Sequence, residues 1–298
     1  MKQFLIKTSF FLIPIVFIVI TMEPLLRKIP NDYEYKDSYL TKNSEHIKKL
    51  FLGSSHTYYG VNPEYIAGNS FNASHISQSI DLDYEIIKKY KWDELDYIII
   101  PVDYFTLFGK LSDGIEYWRV KNYNLYYDMD LSNDLSDNSE LLSVNFKSNI
   151  IRIIKFYILD YHSITCSKLG FGNIYKEQND LLKTGESAAN RHTKSNLSKL
   201  NESVAILKEI IDFASKNNID IIFYTSPAYK TYVSKLEQNQ LNLTIKSITE
   251  LSEKNNNCKY FNLLDDPEFY SSDFRDADHL NPDGAKKLSL KLDKLMSN

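Results

Sequence analysis

Two short segments near opposite ends of the chain carry side chains that together can move an acyl group. The first is Leu50 to His56, LFLGSSH, an apolar run that stops at Gly53 and is followed by Ser54, Ser55 and His56. The second is Phe274 to Ala285, FRDADHLNPDGA, in which Asp276 and His279 stand three residues apart. A serine hydroxyl is a weak nucleophile until a base takes its proton. An imidazole base in turn needs a carboxylate to fix its tautomer and stabilise the imidazolium. An Asp-x-x-His turn supplies both from one loop. Each segment also has a plainer reading: Gly53-Ser54-Ser55 as a turn or helix cap, and Asn281 as the N-cap of a terminal helix.

The elements that would position these residues alternate between strand and helix. Strands are expected at 47–53, 70–74, 96–102, 219–227 and 258–264. The run DYIIIPV is continuously apolar after its Asp, as a strand buried on both faces must be, and IDIIFYTSP reads as another buried strand, stopped by Pro227. Helices are expected at 82–92, 201–217, about 230–254 and 281–296, the last with Pro282 in its first turn. This rhythm predicts an α/β fold, a three-layer α/β/α arrangement around a mostly parallel five-stranded sheet of flavodoxin-like type. Both chemical segments then fall at the carboxyl ends of strands, where ligands bind in such sheets. The rhythm breaks at about 108–200, a stretch rich in Tyr, Asn, Asp and Ser that reads as a large insertion, with one apolar segment at 150–159.

Composition narrows the classes further. The chain has 298 residues, enough for one sizeable core, and a formal net charge of -4 from 35 basic and 39 acidic residues. With no long basic run, nucleic acid is not an expected partner. Cys166 and Cys258 form no CxxC pair, and with the scattered histidines they give no zinc pattern, so no metal is expected. A disulfide between them and two buried thiols are both open. At the N-terminus, Lys2 and Lys7 precede an uncharged run of 15 residues, Thr8 to Met22. With Phe4 to Ile6 it approaches the ~20 residues that span a bilayer. No small-residue cleavage site follows, so residues 1–24 read as an uncleaved signal anchor. A cleaved signal peptide and a buried core helix are the other readings. Residues 25–46 read as a spacer and 47–298 as the main domain. The leading lysines place the N-terminus inside and the main domain outside the cytoplasmic membrane.

The sequence resembles the SGNH (GDSL-like) hydrolase superfamily. LGSSHTYYG stands where that family has Gly-Asp-Ser, and DADHLNPDGA where it has Asp-x-x-His-x-Asn-x-x-Gly. FNASHISQS (71–79) and YIIIPVDYF (97–105) stand at its two middle blocks. The resemblance implies Ser55 as nucleophile, with Ser54 as a minor alternative, His279 as base and Asp276 as orienting acid. Asp278 is the less suitable acid because it adjoins His279. The family's oxyanion donors fall on Gln78, through its backbone N–H, and on Asp103, where an amide side chain is usual. Since a carboxylate repels an oxyanion, Asn72 and Tyr104 are further candidates, beside the Ser55 N–H. These departures are similar to a membrane-tethered bacterial branch that includes alginate O-acetylation proteins and the teichoic acid D-alanyl transfer protein. That branch implies a single N-terminal anchor, a membrane-bound O-acyltransferase partner, a cell-surface polysaccharide acceptor and no diffusible cofactor.

Three functions are therefore carried forward: a serine O-acyltransferase or esterase acting on surface glycan, a non-catalytic glycan-binding or scaffold module, and a plain secreted esterase. His56 is expected to be structural or to contact substrate, and His192 to be a solvated loop residue. Tyr123, Tyr126 and Tyr127 are expected either to pack internally or to stack on sugar rings.

Overall fold

The computed structural model describes residues 1–161, 163–172 and 178–297. It divides into two compact units, one formed by 1–37 with 115–164 and the other by 38–114 with 165–298. The insertion is thus split: its middle, 115–164, groups with the N-terminal residues, and its two ends belong to the sheet unit.

The larger unit is an α/β fold around five parallel strands: β1 Lys49–Phe51, β2 Ser70–Asn72, β3 Tyr97–Pro101, β4 Asp220–Thr225 and β5 Cys258–Asn262. Their order is β2-β1-β3-β4-β5, the flavodoxin-like doubly wound order, with Leu50 in register with Phe71 on one side and Ile98 on the other. Alternate strand residues point to opposite faces. Phe51, Ile99, Ile222 and Tyr224 pack with Leu288, Leu292 and Met296 of the terminal helix Pro282–Met296. The helices Ile80–Lys89 and Leu200–Lys216 pack against each other, and the latter also against β4. The apolar runs made strands because both faces of the sheet are covered, which lets Ile98, Ile99, Ile100, Ile221, Ile222 and Phe223 all be buried.

Two expected elements differ. The helix foreseen over 230–254 is interrupted: a short turn, Lys230–Val233, is followed by Gln238–Lys254. Glu237 restarts the helix by accepting the Asn239 and Gln240 N–H groups at 2.9 and 2.7 Å. The polar stretch foreseen as a spacer is helical over Asp32–Asn43, and the Asn31 side chain accepts the Tyr33 and Glu34 N–H groups at its start. Cys166 and Cys258 are buried free thiols, and burial followed by the nearby Asp220 charge pushes Cys258 up to about 12.

The smaller unit contains the helix Lys2–Arg27, whose stretch Ile6–Arg27 is long and apolar enough to cross a membrane. Tyr123 and Tyr127 are fully buried here and stack at 5.7 Å between ring centres, with Tyr33 edge-on to both. They form the core of this unit and present no face to a sugar. Tyr126 donates its hydroxyl to Glu140.

The exit from β1 turns on Gly53. Its φ of +106° lies where only glycine is unstrained, and a Cβ there would overlap the Pro101 ring at the end of β3. Gly53→Ala is expected to destabilise the protein by about 2 kcal/mol or more, read as a lower denaturant midpoint at unchanged slope. An unchanged midpoint would show that the turn is not under this constraint.

Candidate active site

The turn at Gly53 sets the first chemical residue. The helix Ser55–Gly60 starts at once, and the Thr57 and Tyr58 N–H groups return to the Ser54 carbonyl. Among the described residues, the Ser55 N–H has no acceptor, as expected of the first amide of a helix. Asp83 holds the turn from behind, accepting the Gly53 N–H at 2.9 Å and the Gln78 side-chain amide at 2.6 Å. Burial raises the Asp83 carboxyl to about 7, against those two hydrogen bonds, which lower it.

The second segment is a tight loop pinned by pairing between Phe274 and Leu280. Gly284 in the following helix has no room for a Cβ against the Asp273 carbonyl. Asn281 caps that helix, accepting the Asp283 and Gly284 N–H groups at 3.0 Å. The cap reading and the chemical reading of this segment therefore hold together.

The fold brings the two segments into contact. Ser55 Oγ is 2.9 Å from His279 Nε2, and His279 Nδ1 is 2.9 Å from Asp276 Oδ1. Asp276 Oδ1 also accepts the His279 N–H at 2.8 Å, and Arg275 binds Oδ2 at 3.2 Å. A carboxylate that only accepts fixes the tautomer: Nδ1 carries the hydrogen, which leaves Nε2 to accept from the serine hydroxyl. Burial raises the Asp276 carboxyl, but the His279 hydrogen bond and charge and then Arg275 outweigh it and hold it below the ordinary value. Ser55 and His279 are partly exposed, so the pair is open to a ligand. The Ser54 hydroxyl, by contrast, is buried with no partner among the described residues and does not meet the base.

The expected oxyanion residues are committed elsewhere. Both side-chain hydrogens of Asn72 go to the Thr57 and Val61 carbonyls, at 2.9 and 2.8 Å. The Gln78 N–H bonds to the His75 carbonyl at 3.2 Å, closing a turn in which Ser77 has a φ of 60°. Thr193 gives its hydrogen to the Ala189 carbonyl, so Tyr104 donates to Thr193 and accepts the Glu237 N–H. Asp103 accepts His56 Nδ1 at 2.8 Å and the Ser226 N–H at 2.7 Å. The Asn72 and Tyr104 side-chain hydrogens and the Gln78 N–H are thus taken, and Asp103 has none to give.

Asp103 instead belongs to a buried charge cluster beside the Ser55–His279 pair, which the spacing of these residues does not reveal. His56 is 5% exposed at its side chain and lies between Asp103 and Asp278, with Nε2 3.8 Å from Asp278 Oδ2. That separation is an ion-pair distance, too long for a hydrogen bond. Burial would lower His56, but the Asp103 charge and hydrogen bond, and then Asp278, raise it to about 10. Asp278 Oδ2 also takes Arg191 at 3.1 Å. Burial raises Asp278, but the neighbouring His279 and His56 outweigh it and hold its carboxyl well below the ordinary value. His192 is not a solvated loop residue. It ends the helix Leu181–His192, bonds Tyr232 through Nδ1 at 2.9 Å and lies 4.2 Å from the Phe105 ring. Burial depresses its imidazole well below 6.5.

His56, Asp278 and His279 offer ligand atoms within 4.8 Å of one another. They do not suit a resident metal. Asp276 and Ser55 occupy both His279 nitrogens, Asp103 occupies His56 Nδ1, and Arg191 sits on Asp278. One imidazole nitrogen and a shared carboxylate fall short of the three or four protein ligands of a zinc centre.

No family model matches this chain, and no curated protein matches it. Among solved structures, a Streptococcus pneumonia chain described as a "putative platelet activating factor" matches at 11% identity. The match covers 97% of this chain and 99% of that one, with a TM-score of 0.47.

The cluster makes two histidines titrate on opposite sides of neutrality. His56 should stay protonated until pH rises toward about 10, while His192 stays neutral until pH falls well below 6.5. Imidazole nitrogen shifts in NMR report both. Asp103→Asn should move His56 sharply downward, because burial then acts with less opposition. The stability that His56 contributes is complete below pH 6.5 and is lost as pH rises through about 10. A His56 that titrates near 6.5 would contradict this arrangement.

Proposed function

We propose that this chain is an SGNH-type serine enzyme that transfers an acyl group to, or removes it from, a cell-surface polysaccharide. The observation that carries the reading is the unbroken contact Ser55–His279–Asp276, at 2.9 Å for each link. Ser55 Oγ attacks the ester carbonyl as His279 Nε2 takes its proton. The imidazolium keeps its Nδ1 hydrogen on Asp276. Collapse of the tetrahedral adduct breaks the bond to the leaving oxygen, which receives the proton from Nε2. A sugar hydroxyl or water then attacks acyl-Ser55, giving its proton to His279, and release of the product returns that proton to Ser55. The Ser55 N–H is the one uncommitted amide at the serine itself, suited to meet the oxyanion.

In this reading the N-terminal helix is a retained anchor. Glu23 accepts from Ser139 Oγ and from the Glu140 and Leu141 N–H groups, and Arg27 donates to the Asn138 carbonyl. Leu26 is fully buried. Removing the helix would strip the unit of these contacts. Lys2 and Lys7 before the apolar run favour an inside N-terminus and an extracytoplasmic catalytic unit. The acyl donor is then most simply supplied by a membrane-bound O-acyltransferase.

A second reading, a non-catalytic glycan-binding or scaffold module, is favoured by the internal commitment of Asn72, Gln78, Asp103 and Tyr104. Labelling the full chain with a fluorophosphonate separates the two, because this reagent reports an activated serine without the true substrate. The proposal expects an adduct on Ser55 by peptide mapping. The labelling rate should fall at least about 100-fold in His279→Ala, with an unchanged circular dichroism spectrum. A folded protein that takes no adduct would leave the scaffold reading standing.

A further inference from the structure

We propose that the helix Phe146–Tyr157 lies on the lipid surface beside the N-terminal span, its apolar face in the bilayer interface. The inference rests on the reading of that span as a membrane anchor. Its basis is a helix built opposite to the usual soluble pattern. The side turned into the unit carries polar groups beside the half-buried Ile153 and Phe156: Asn149 is fully buried, and its amide donates to the Leu141 and Val144 carbonyls at 2.9 and 3.1 Å. Arg152 reaches inward to Glu140 at 2.7 Å, and Lys121 meets the same carboxylate at 2.6 Å. Burial raises Glu140, but Lys121 and Arg152 outweigh it, so the acid stays charged and the inward face stays ionic.

The side turned outward is apolar. Phe146, Ile150, Ile151, Ile154, Tyr157 and Ile158 recur at helical spacing, and their exposures run from 36% for Ile150 to 72% for Ile158. Residues at such spacing form one stripe along a helix. In water a stripe of this width is a liability, whereas charges hidden inside with isoleucines outside match a helix that lies in a membrane interface. Lys147 and Lys155 are exposed, and their long stems let the ammonium groups reach lipid phosphates while the stripe is immersed.

What covers the stripe follows from where the helix is held. The Tyr157 hydroxyl donates to the Leu25 carbonyl at 3.1 Å, so the helix ends within one hydrogen bond of the C-terminal end of the apolar span. Glu23 holds the helix Glu140–Ser143 just before it, through the Ser139, Glu140 and Leu141 contacts. A span that crosses a bilayer sets its last turn at the headgroup level. The stripe is thereby continuous with a lipid-facing surface, whose exposed side chains include Phe10, Phe11, Ile13 and Phe17.

The test uses the full chain in phosphatidylethanolamine–phosphatidylglycerol vesicles, with Cys166 and Cys258 changed to Ser. A bimane label is placed at Ile154→Cys or, separately, at Phe11→Cys. Doxyl lipids quench a label in the bilayer, and aqueous iodide quenches one in water. The proposal expects the Ile154 label to lose most of its emission to shallow doxyl lipid and to resist iodide. Quenching by doxyl at Phe11, with the Ile154 label open to iodide, overturns the interfacial helix while the anchor stands. Shielding of the Ile154 label in native membranes but not in pure vesicles also overturns it, assigning the stripe to a protein partner. Doxyl quenching at Ile154 alone supports a surface helix and removes the span, and quenching at neither site removes both.

Discussion

The active-site reading of this chain depends on the 2.9 Å contact between Ser55 Oγ and His279 Nε2, made by residues 224 positions apart. Two loop exits must be fixed for that contact to exist. On one side, Gly53 turns under the Pro101 ring in a conformation closed to other residues, and Asp83 grips its N–H. On the other, the pinned loop from Phe274 to Leu280 presents Asp276 and His279 together. The parallel sheet brings the exits near each other, since every strand ends at the same edge. A serine so held needs little reorganisation before attack, which is where positioned catalysts gain most.

The surroundings of this contact are more charged than an acyl-transfer site of the resembled family implies. The Asp103 carboxylate is satisfied by His56 and the Ser226 N–H. A buried His56 between Asp103 and Asp278 forms an ionic layer that Arg191 closes from the exposed side. Removing one member of such a layer would leave a partner charge buried and unpaired, the costly outcome for ions in a protein interior. The layer therefore ties the Ser55 helix, the exit of β3, the Leu181–His192 helix and the His279 loop into one electrostatic unit. Its His56 Nε2 faces Asp278 at 3.8 Å and has no hydrogen-bond partner among the described residues.

The smaller unit obeys a different rule. Its core holds the stacked Tyr123 and Tyr127 and a Lys121–Glu140–Arg152 ionic group, while isoleucines of the Phe146–Tyr157 helix face outward. An exposed apolar stripe is a liability in water, which is what the interfacial proposal answers. The same unit contains the apolar Lys2–Arg27 helix, so the environment that suits one element suits the other.

The strand β3 and the N-terminal helix were legible in the sequence as continuous apolar runs, and the terminal helix by its period and by Asn281-Pro282 at its start. Ser55, Asp276 and His279 were named together from the Asp-x-x-His spacing and from the family resemblance, and the fold places them in contact. What only the tertiary structure decided was the fate of polar side chains. Asn72, Gln78 and Tyr104 looked available as donors, yet the fold gives them other partners: Asn72 binds the Thr57 and Val61 carbonyls, the Gln78 N–H the His75 carbonyl, and Tyr104 pairs with Thr193 and the Glu237 N–H. His56, His192 and Asp278 show no pattern in one dimension, since their meeting needs three separate segments to converge. Apolar burial follows a period along the chain and can be read there. Hydrogen bonds and ion pairs are settled between whichever groups the completed fold leaves within about 3 Å of each other.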